Sequence, residues 1–118
     1  MTEGLVSLEP HDGVPVVVLS GEVDAAVAPG VAGLLGDVVR DASAVVLDLA
    51  AVDFLDSAGV RLVDQLARGC AGRGIPWRVV APVGSTARRV LGLVEMVGPE
   101  VVEDRGGALS SVREAPDR

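Results

Sequence analysis

The chain has 118 residues, of which 49% are apolar, and a net charge of −7, which suits one domain with its own core. The acidic balance excludes a direct nucleic-acid binder, because that function needs a basic surface, and it disfavours anionic lipid headgroups. A single cysteine allows no internal disulfide, and no apolar run could span a bilayer. We expect "MTEGLVSLEP" not to be a signal peptide, because it has no basic segment followed by an apolar run. The sequence therefore predicts a soluble cytoplasmic protein with no membrane partner.

Strand patterns and helix patterns alternate along the chain. Valine-rich runs between turn signals indicate strands, and apolar residues that recur every three or four positions indicate helices. In chain order the predicted elements are strands 5–10 and 14–23, helix 25–40, strand 44–49, helix 57–71, strand 77–82, a helix that follows Ser85, strand 100–104 and helix 107–115. The turn signal "HDG" joins the first two strands into a hairpin. This order predicts an α/β domain with mostly parallel strands.

Several side chains have predicted places in this scheme. Ser85 is a predicted N-cap of the third helix, and Val94 and Val97 are predicted to face inward from that helix. Cys70 is predicted to be a small core residue of the second helix. Asp48 interrupts an apolar strand, so we expect it to face a partly open side of the sheet.

The stretch "DFLDSAGVR", residues 53–61, places acids, a serine and a glycine between a strand and a helix. In open α/β sheets, loops at the carboxyl ends of strands carry function. Ser57 is expected at or beside the N-cap of the second helix, and capping alone would explain Asp56 and Ser57. Capping leaves Gly59 and the apolar "FL" before Asp56 without a role, whereas a glycine at position 59 would let another backbone approach closely.

Catalysis by this stretch is disfavoured by residues that the chain lacks. A nucleophile elbow needs a glycine two positions before its serine, and Leu55 stands there. The one histidine, His11, lies in the predicted hairpin turn, and a chain without lysine has no Ser–Lys dyad, Walker loop or receiver-type phospho-aspartate site. Asp53 and Asp56 would be a weak metal site without a His or Cys partner. We expect no enzyme activity, no cofactor and no metal.

Modification of Ser57 is the remaining possibility beside capping. The dipole and the free N–H groups of a helix N-terminus stabilise a phosphate. Phosphorylation would add roughly 1.5–2 negative charges. It could repel or block a bound partner without unfolding the protein.

Two motifs resemble the STAS family, which includes bacterial anti-sigma factor antagonists. "VVLDLAAVDFLDSAGVRLVDQL", residues 45–66, resembles the family's Asp-Ser-(small)-Gly signature between a strand and a helix. "LSGEVDAAVAPGVAGLL", residues 19–35, resembles its Gly-Glu-(apolar)-Asp turn. The resemblance covers nearly the whole chain and implies a single STAS-like domain over 1–118, with an ordered core at about 4–114. It implies a mixed, mostly parallel sheet of four or five strands, with an antiparallel hairpin edge and helices mainly on one face.

The resemblance also implies a partner switch. In the family, the unphosphorylated antagonist binds an anti-sigma factor that is also a serine kinase, which frees a sigma factor, and phosphorylation of the motif serine inactivates the antagonist. That serine falls on Ser57, and a phosphatase would reverse the modification. The residues expected to bind the partner or flank the phosphorylated serine are Asp24, Asp56, Ala58, Gly59 and Arg61. The expected protein is a monomer or weak dimer.

Two departures from the family pattern leave the acceptor in place. Val27 and Ala58 stand where family members often carry Thr and Ser or Thr, respectively, so Ser57 has no neighbouring alternative acceptor. The alternative function is a STAS domain that is not phosphorylated and serves as a docking subunit of a transporter or a signalling assembly. In that case the loop around Ser57 is only a docking surface.

Overall fold

A computed structural model describes residues 5–114. Its elements are β1 Leu5–His11, β2 Val14–Val23, α1 Ala28–Asp41, β3 Val45–Leu55, α2 Ser57–Arg73, β4 Trp77–Val80, α3 Thr86–Leu93, β5 Val101–Val102 and α4 Arg105–Glu114. The five strands form one sheet in the order β1-β2-β3-β4-β5, in which β1 is antiparallel to β2 and the other pairs are parallel. This confirms the predicted mixed sheet with an antiparallel hairpin edge. No helix in the described range is long and apolar enough to cross a membrane.

The β1–β2 hairpin turns at Asp12 and Gly13. Both residues have positive φ, 52° and 85°, as the two central residues of a type I′ turn require, and Asp-Gly is a preferred sequence for that turn. His11 was expected in the turn, but it is the last residue of β1 and pairs with Val14. The turn uses only two residues, Asp12 and Gly13, so His11 remains in the strand.

Helices α1, α2 and α3 pack on one face of the sheet. The core between them is built from Val, Leu and Ala, with large buried side chains such as Leu47, Leu49 and Leu66. Cys70 belongs to this core and is fully buried, as predicted. Because burial disfavours the thiolate, it raises the pKa of the Cys70 thiol to about 11.

Helix α4 covers part of the opposite face. Ala108, Leu109 and Val112 of α4 form a second apolar cluster with strand residues that include Val16 and Val46. Three of the four helices therefore share one face, in agreement with the prediction. On the same face as this second cluster, Glu9, Asp48 and Arg105 meet.

These three residues, the Arg105 cluster, close the side of the sheet where Asp48 lies. Asp48 is only 6% exposed, and its Oδ2 lies 3.0 Å from Nη2 of Arg105. Arg105 Nη1 lies 2.8 Å from Oε1 of Glu9, and this hydrogen bond holds the pKa of Glu9 below its ordinary value. The side that we expected to be partly open at Asp48 is therefore covered by the first residue of α4.

Strand β3 is longer than predicted, because it continues to Leu55 rather than ending at residue 49. Its register against β2 shifts at two places. Ala50 and Ala51 are both exposed there, so the alternation of apolar and polar residues is lost although strand pairing continues. Residues 53–55, which we expected in a loop, are the end of a strand.

The first turns of two helices follow local signals. Helix α1 begins at Ala28 rather than Ala25, with Pro29 in its first turn, where a missing N–H is tolerated. Ser85 caps α3, because its Oγ accepts a hydrogen bond from the Arg88 N–H at 3.1 Å. The predicted N-cap is confirmed.

The end of α3 differs from the prediction. Val94 and Val97 were expected to face the core, but they are 46% and 41% exposed. The helix ends at Leu93, and the positive φ of Glu95, 59°, turns the chain. Met96 then packs against the core in place of the two valines.

Candidate functional site at the ends of β2 and β3

The candidate site lies where β2 and β3 end side by side. Val23 and Leu55, the last residues of these strands, are paired in register. The N–H of Asp56 donates to the Val23 carbonyl at 3.5 Å. Asp24 and Asp56 therefore follow two adjacent carboxyl ends of parallel strands, which is where open α/β sheets place functional loops.

The start of α2 is capped by Asp56. Its Oδ1 accepts hydrogen bonds from the N–H groups of Ala58 at 2.9 Å and Gly59 at 3.2 Å. Its carbonyl accepts from the Val60 N–H at 2.9 Å. Ser57 is the first residue of the helix and is exposed. Within residues 5–114 the Ser57 hydroxyl makes no hydrogen bond, so capping explains Asp56 but not Ser57.

One part of the phosphate argument from sequence needs correction. We expected free N–H groups at the start of α2, but Asp56 already occupies those of Ala58 and Gly59. A phosphate on Ser57 would therefore meet a neighbouring carboxylate, and two backbone donors of the first turn would already be occupied. The helix dipole still favours negative charge there, but the local effect of phosphorylation is to concentrate charge.

Gly59 allows the helix to approach the strands closely. A Cβ at this position would lie 3.1 Å from Leu55 Cγ and 3.2 Å from the Val23 carbonyl oxygen, and it would collide with Leu55 Cδ1. The predicted close approach of another backbone is therefore present. Gly59 is buried, so it positions Ser57 and does not offer a surface for contact.

Asp24 caps the turn that leads into α1. Its Oδ1 accepts from the N–H groups of Ala26 at 3.0 Å and Val27 at 3.2 Å, and its carbonyl accepts from the Ala28 N–H at 2.8 Å. Val27, the N-cap residue of α1, contributes no side-chain hydrogen bond. The capping role considered for Asp24 is therefore fulfilled one turn before the helix.

The turn after Asp24 and the start of α2 are neighbours in space. Ala25, Ala58 and Arg61 line one shallow depression of about 220 Å³. Arg61 is exposed and lies one helical turn beyond Ser57. The structure therefore brings together the segments that carry the predicted site residues.

The surface around Ser57 is acidic. We use the name Ser57 corner for Glu22, Asp24, Asp53, Asp56 and Ser57. Among the residues that the structure describes, none of its four carboxylates forms an ion pair. Asp24 and Asp56 accept hydrogen bonds from backbone N–H groups, and these bonds leave the negative charge uncancelled.

Phe54 is a candidate contact residue that the sequence reasoning missed. It is the one phenylalanine of the chain, it is 47% exposed, and it pairs in register with Glu22. Aromatic residues are enriched at protein interfaces. The signal in the sequence is an aromatic residue in an apolar pair flanked by Asp53 and Asp56, in a segment predicted to be a loop.

Across residues 5–114, no group of three or more His, Cys, Asp or Glu side chains is placed to hold a metal ion.

Comparisons with known proteins agree with the fold described above. The sequence profile of the STAS domain matches residues 6–106. The anti-sigma-F factor antagonist RsfB of Mycobacterium tuberculosis is 36% identical over 90 residues, which cover 75% of this chain and 72% of that protein. An anti-sigma factor antagonist from Mycobacterium paratuberculosis superposes with a TM-score of 0.85 at 35% identity, covering 95% of this chain and 96% of the other. The antagonist SpoIIAA in its unphosphorylated form shares the fold, with a TM-score of 0.77 at 20% identity over 96% of this chain and 100% of the other. The chain belongs to the STAS domain family.

Proposed function

We propose that this chain is an anti-sigma factor antagonist and that phosphorylation of Ser57 switches off its partner binding. The unphosphorylated form binds an anti-sigma factor with serine kinase activity in the bacterial cytoplasm and so frees a sigma factor. A phosphatase restores this form. The observation that carries the proposal is the exposed, unbonded hydroxyl of Ser57 within an acidic surface. The two mycobacterial relatives are both anti-sigma factor antagonists, which supports the antagonist function.

Ser57 has the properties of a kinase acceptor. Its side chain is exposed, so that a kinase active site can reach it. Its backbone is held by the Asp56 cap and by the close approach at Gly59, which presents the hydroxyl in one place. Ala58 offers no second hydroxyl beside it. These features support a single acceptor.

Phosphorylation would act through charge at this surface. It adds roughly 1.5–2 negative charges at neutral pH, next to the uncancelled carboxylates of the Ser57 corner. The cap hydrogen bonds belong to Asp56, so the helix does not need to rearrange. Arg61 lies four residues beyond Ser57, where a helical ion pair can form, but one guanidinium cannot neutralise the whole corner.

The partner surface that we assign surrounds Ser57. Asp24, Asp56, Ala58 and Arg61 border it, and Gly59 sets its geometry from below. Exposed Phe54 adds an apolar contact at the end of β3. An acidic rim with an aromatic residue fits a partner surface that carries basic side chains.

The test combines modification with binding. After incubation with the cognate kinase and ATP, the intact mass of the protein should rise by one phosphoryl group. Ser57→Ala should remain unmodified, whereas the matched control Ser110→Ala, which removes an exposed hydroxyl from α4, should be modified as wild type is. A phosphate on Ser7, Ser85 or Ser110 would refute the assignment. Equal partner affinity of both forms would leave the unphosphorylated docking subunit as the function.

A further inference from the structure

Ser57 and Arg61 lie on the same outer face of α2. Both residues are exposed, whereas Gly59, Leu62 and Val63 of the same helix are buried. Residues four positions apart in a helix are neighbours, with Cβ atoms roughly 5–6 Å apart. A long side chain in a helix also leans toward the N-terminus of that helix, and for Arg61 this is the direction of Ser57.

The guanidinium group of Arg61 has no partner within residues 5–114. The arginines that donate side-chain hydrogen bonds or form ion pairs in this range do not include Arg61. Arg61 lines the same shallow depression as Ala25 and Ala58, which places it beside the first turn of α2. A cation with available donors therefore lies next to Ser57.

A phosphate on Ser57 would need hydrogen-bond donors other than the backbone groups that are already occupied. Asp56 accepts from the N–H groups of Ala58 and Gly59. A guanidinium binds a phosphate through two parallel N–H···O hydrogen bonds. In a helix, an acid placed four residues before a base is the favourable order. Arg61 supplies this pair of donors in this order.

The charges around Ser57 determine how many charges its phosphate would carry. The carboxylates of the Ser57 corner come from the end of β2, the turn after β2, the end of β3 and the cap of α2, and belong to Glu22, Asp24, Asp53 and Asp56. The second pKa of a phosphoserine is about 6, and nearby negative charge favours the singly charged form. A positive neighbour has the opposite effect, so the guanidinium of Arg61 favours the doubly charged form.

We propose that Arg61 binds the phosphate of phosphorylated Ser57 and keeps it doubly charged at neutral pH. The inference rests on the proposed phosphorylation of Ser57, and it gives Arg61 a role beside that of bordering the partner surface. The ion pair holds the added charge at the start of α2. The switch then receives the full charge of the phosphate, although four carboxylates surround it.

The first arm of the test is a titration of the phosphate by phosphorus NMR. Phosphoserine is placed at position 57 during translation, so the sample needs no kinase. The acid dissociation constant of the phosphate should be about threefold larger in the otherwise unchanged protein than in Arg61→Gln, because the guanidinium stabilises the dianion. Arg68→Gln removes the same charge from the same helix, but Arg68 is farther from Ser57 and pairs with Asp64 at 2.8 Å, so this control should not change the constant. Equal constants with and without Arg61 would overturn the proposal, as would equal changes in the two variants.

The second arm follows the guanidinium groups by nitrogen–proton NMR. The side-chain N–H signals of Arg61 should shift on phosphorylation and exchange more slowly with water. Arg89 is the control, because it is also exposed and also donates no side-chain hydrogen bond within the described residues, and its signals should stay unchanged. Arg61 signals that are the same in both forms would contradict the proposal.

A conservative variant separates charge from packing. Arg61→Lys keeps the positive charge without the paired donors of the guanidinium, so its phosphate should titrate between those of the unchanged protein and Arg61→Gln. A constant equal to that of Arg61→Gln would assign the effect to packing and overturn the ion pair. The proposed function fails separately, because an unchanged intact mass after incubation with the cognate kinase would refute phosphorylation of Ser57, whereas an unchanged titration in Arg61→Gln refutes the role of Arg61 alone.

Discussion

The Ser57 corner and the Arg105 cluster each contain several carboxylates, but the carboxylates have different hydrogen-bond donors in the two regions. At the corner, Asp24 and Asp56 accept hydrogen bonds from backbone N–H groups. In the cluster, a guanidinium binds two carboxylates. An N–H group satisfies a hydrogen bond without cancelling charge, whereas an arginine does both. The corner is therefore sensitive to one more charge, and the cluster holds secondary structure together.

Adding charge to the corner should have the largest effect. Phosphorylation of Ser57 should weaken binding of the cognate anti-sigma factor by about 3 kcal/mol, because like charges brought together at an interface are strongly unfavourable. Ser57→Asp should fold, since an acid is tolerated at a helix N-terminus, and should show a smaller loss. Titrations at two salt concentrations measure this, and the loss should shrink at high salt. A loss that does not depend on salt would contradict the electrostatic explanation.

Removing the cation from the cluster should have the next largest effect. Arg105→Met leaves the buried carboxylate of Asp48 without its cation, with only the Ala50 N–H as a hydrogen-bond donor, and should lower the free energy of unfolding by about 2–3 kcal/mol. Arg113→Met is the matched control, because Arg113 pairs with exposed Asp12 at 3.3 Å, and it should change stability by less than about 0.5 kcal/mol. Urea unfolding measures both, and similar losses would show that burial of Asp48 does not matter.

The pH dependence of the unfolding free energy tests the core, where Cys70 is buried, independently of the Ser57 corner and the Arg105 cluster. The chain has no lysine and no tyrosine, so Cys70 is the one side chain expected to titrate between pH 9 and about 11. Its folded pKa is raised, so it binds a proton in the folded state after the unfolded chain has lost it, and stability should fall over this window by about 2 kcal/mol. In Cys70→Ala the unfolding free energy should stay flat. A fall of equal size in that variant would assign the titration to another group.

Removing the N-cap of α2 should have a smaller effect on stability. It tests whether Asp56 or Ser57 is the capping residue. Asp56→Ala should destabilise the protein by about 1 kcal/mol, whereas Asp56→Asn should be nearly neutral because asparagine caps as well as aspartate. Ser57→Ala should change stability by less than about 0.5 kcal/mol, since its hydroxyl makes no hydrogen bond in the described structure. Thermal unfolding compares the three variants, and a larger loss in Ser57→Ala than in Asp56→Ala would reverse the assignment of the cap.

The sequence was sufficient to predict the features that depend on a local pattern of residues. The alternation of strands and helices, the N-cap at Ser85 and the close approach at Gly59 each depend on neighbouring residues or on a residue with one special property. The full length of β3 was not predictable, because exposed Ala50 and Ala51 interrupt its pattern while pairing with β2 continues.

Features that depend on distant residues were also missed. The partner of Asp48 is 57 residues away in the sequence, and no local pattern points to it. Val94 and Val97 continue the apolar periodicity of α3, but the chain turns at Glu95 and Met96 takes the core position. The choice of Asp56 over Ser57 as the cap also could not be made, since both residue types are favoured there.

The contact between Arg105 and Glu9 has a consequence for biosynthesis. These residues are separated by 96 positions, so the first strand receives its ionic partner only after residue 105 has left the ribosome. Until then Asp48 has a place in the sheet without its guanidinium, and β1 lacks its connection to α4. A nascent chain that stops before residue 105 therefore exposes strand residues that α4 would cover, which makes a prematurely terminated product prone to aggregation.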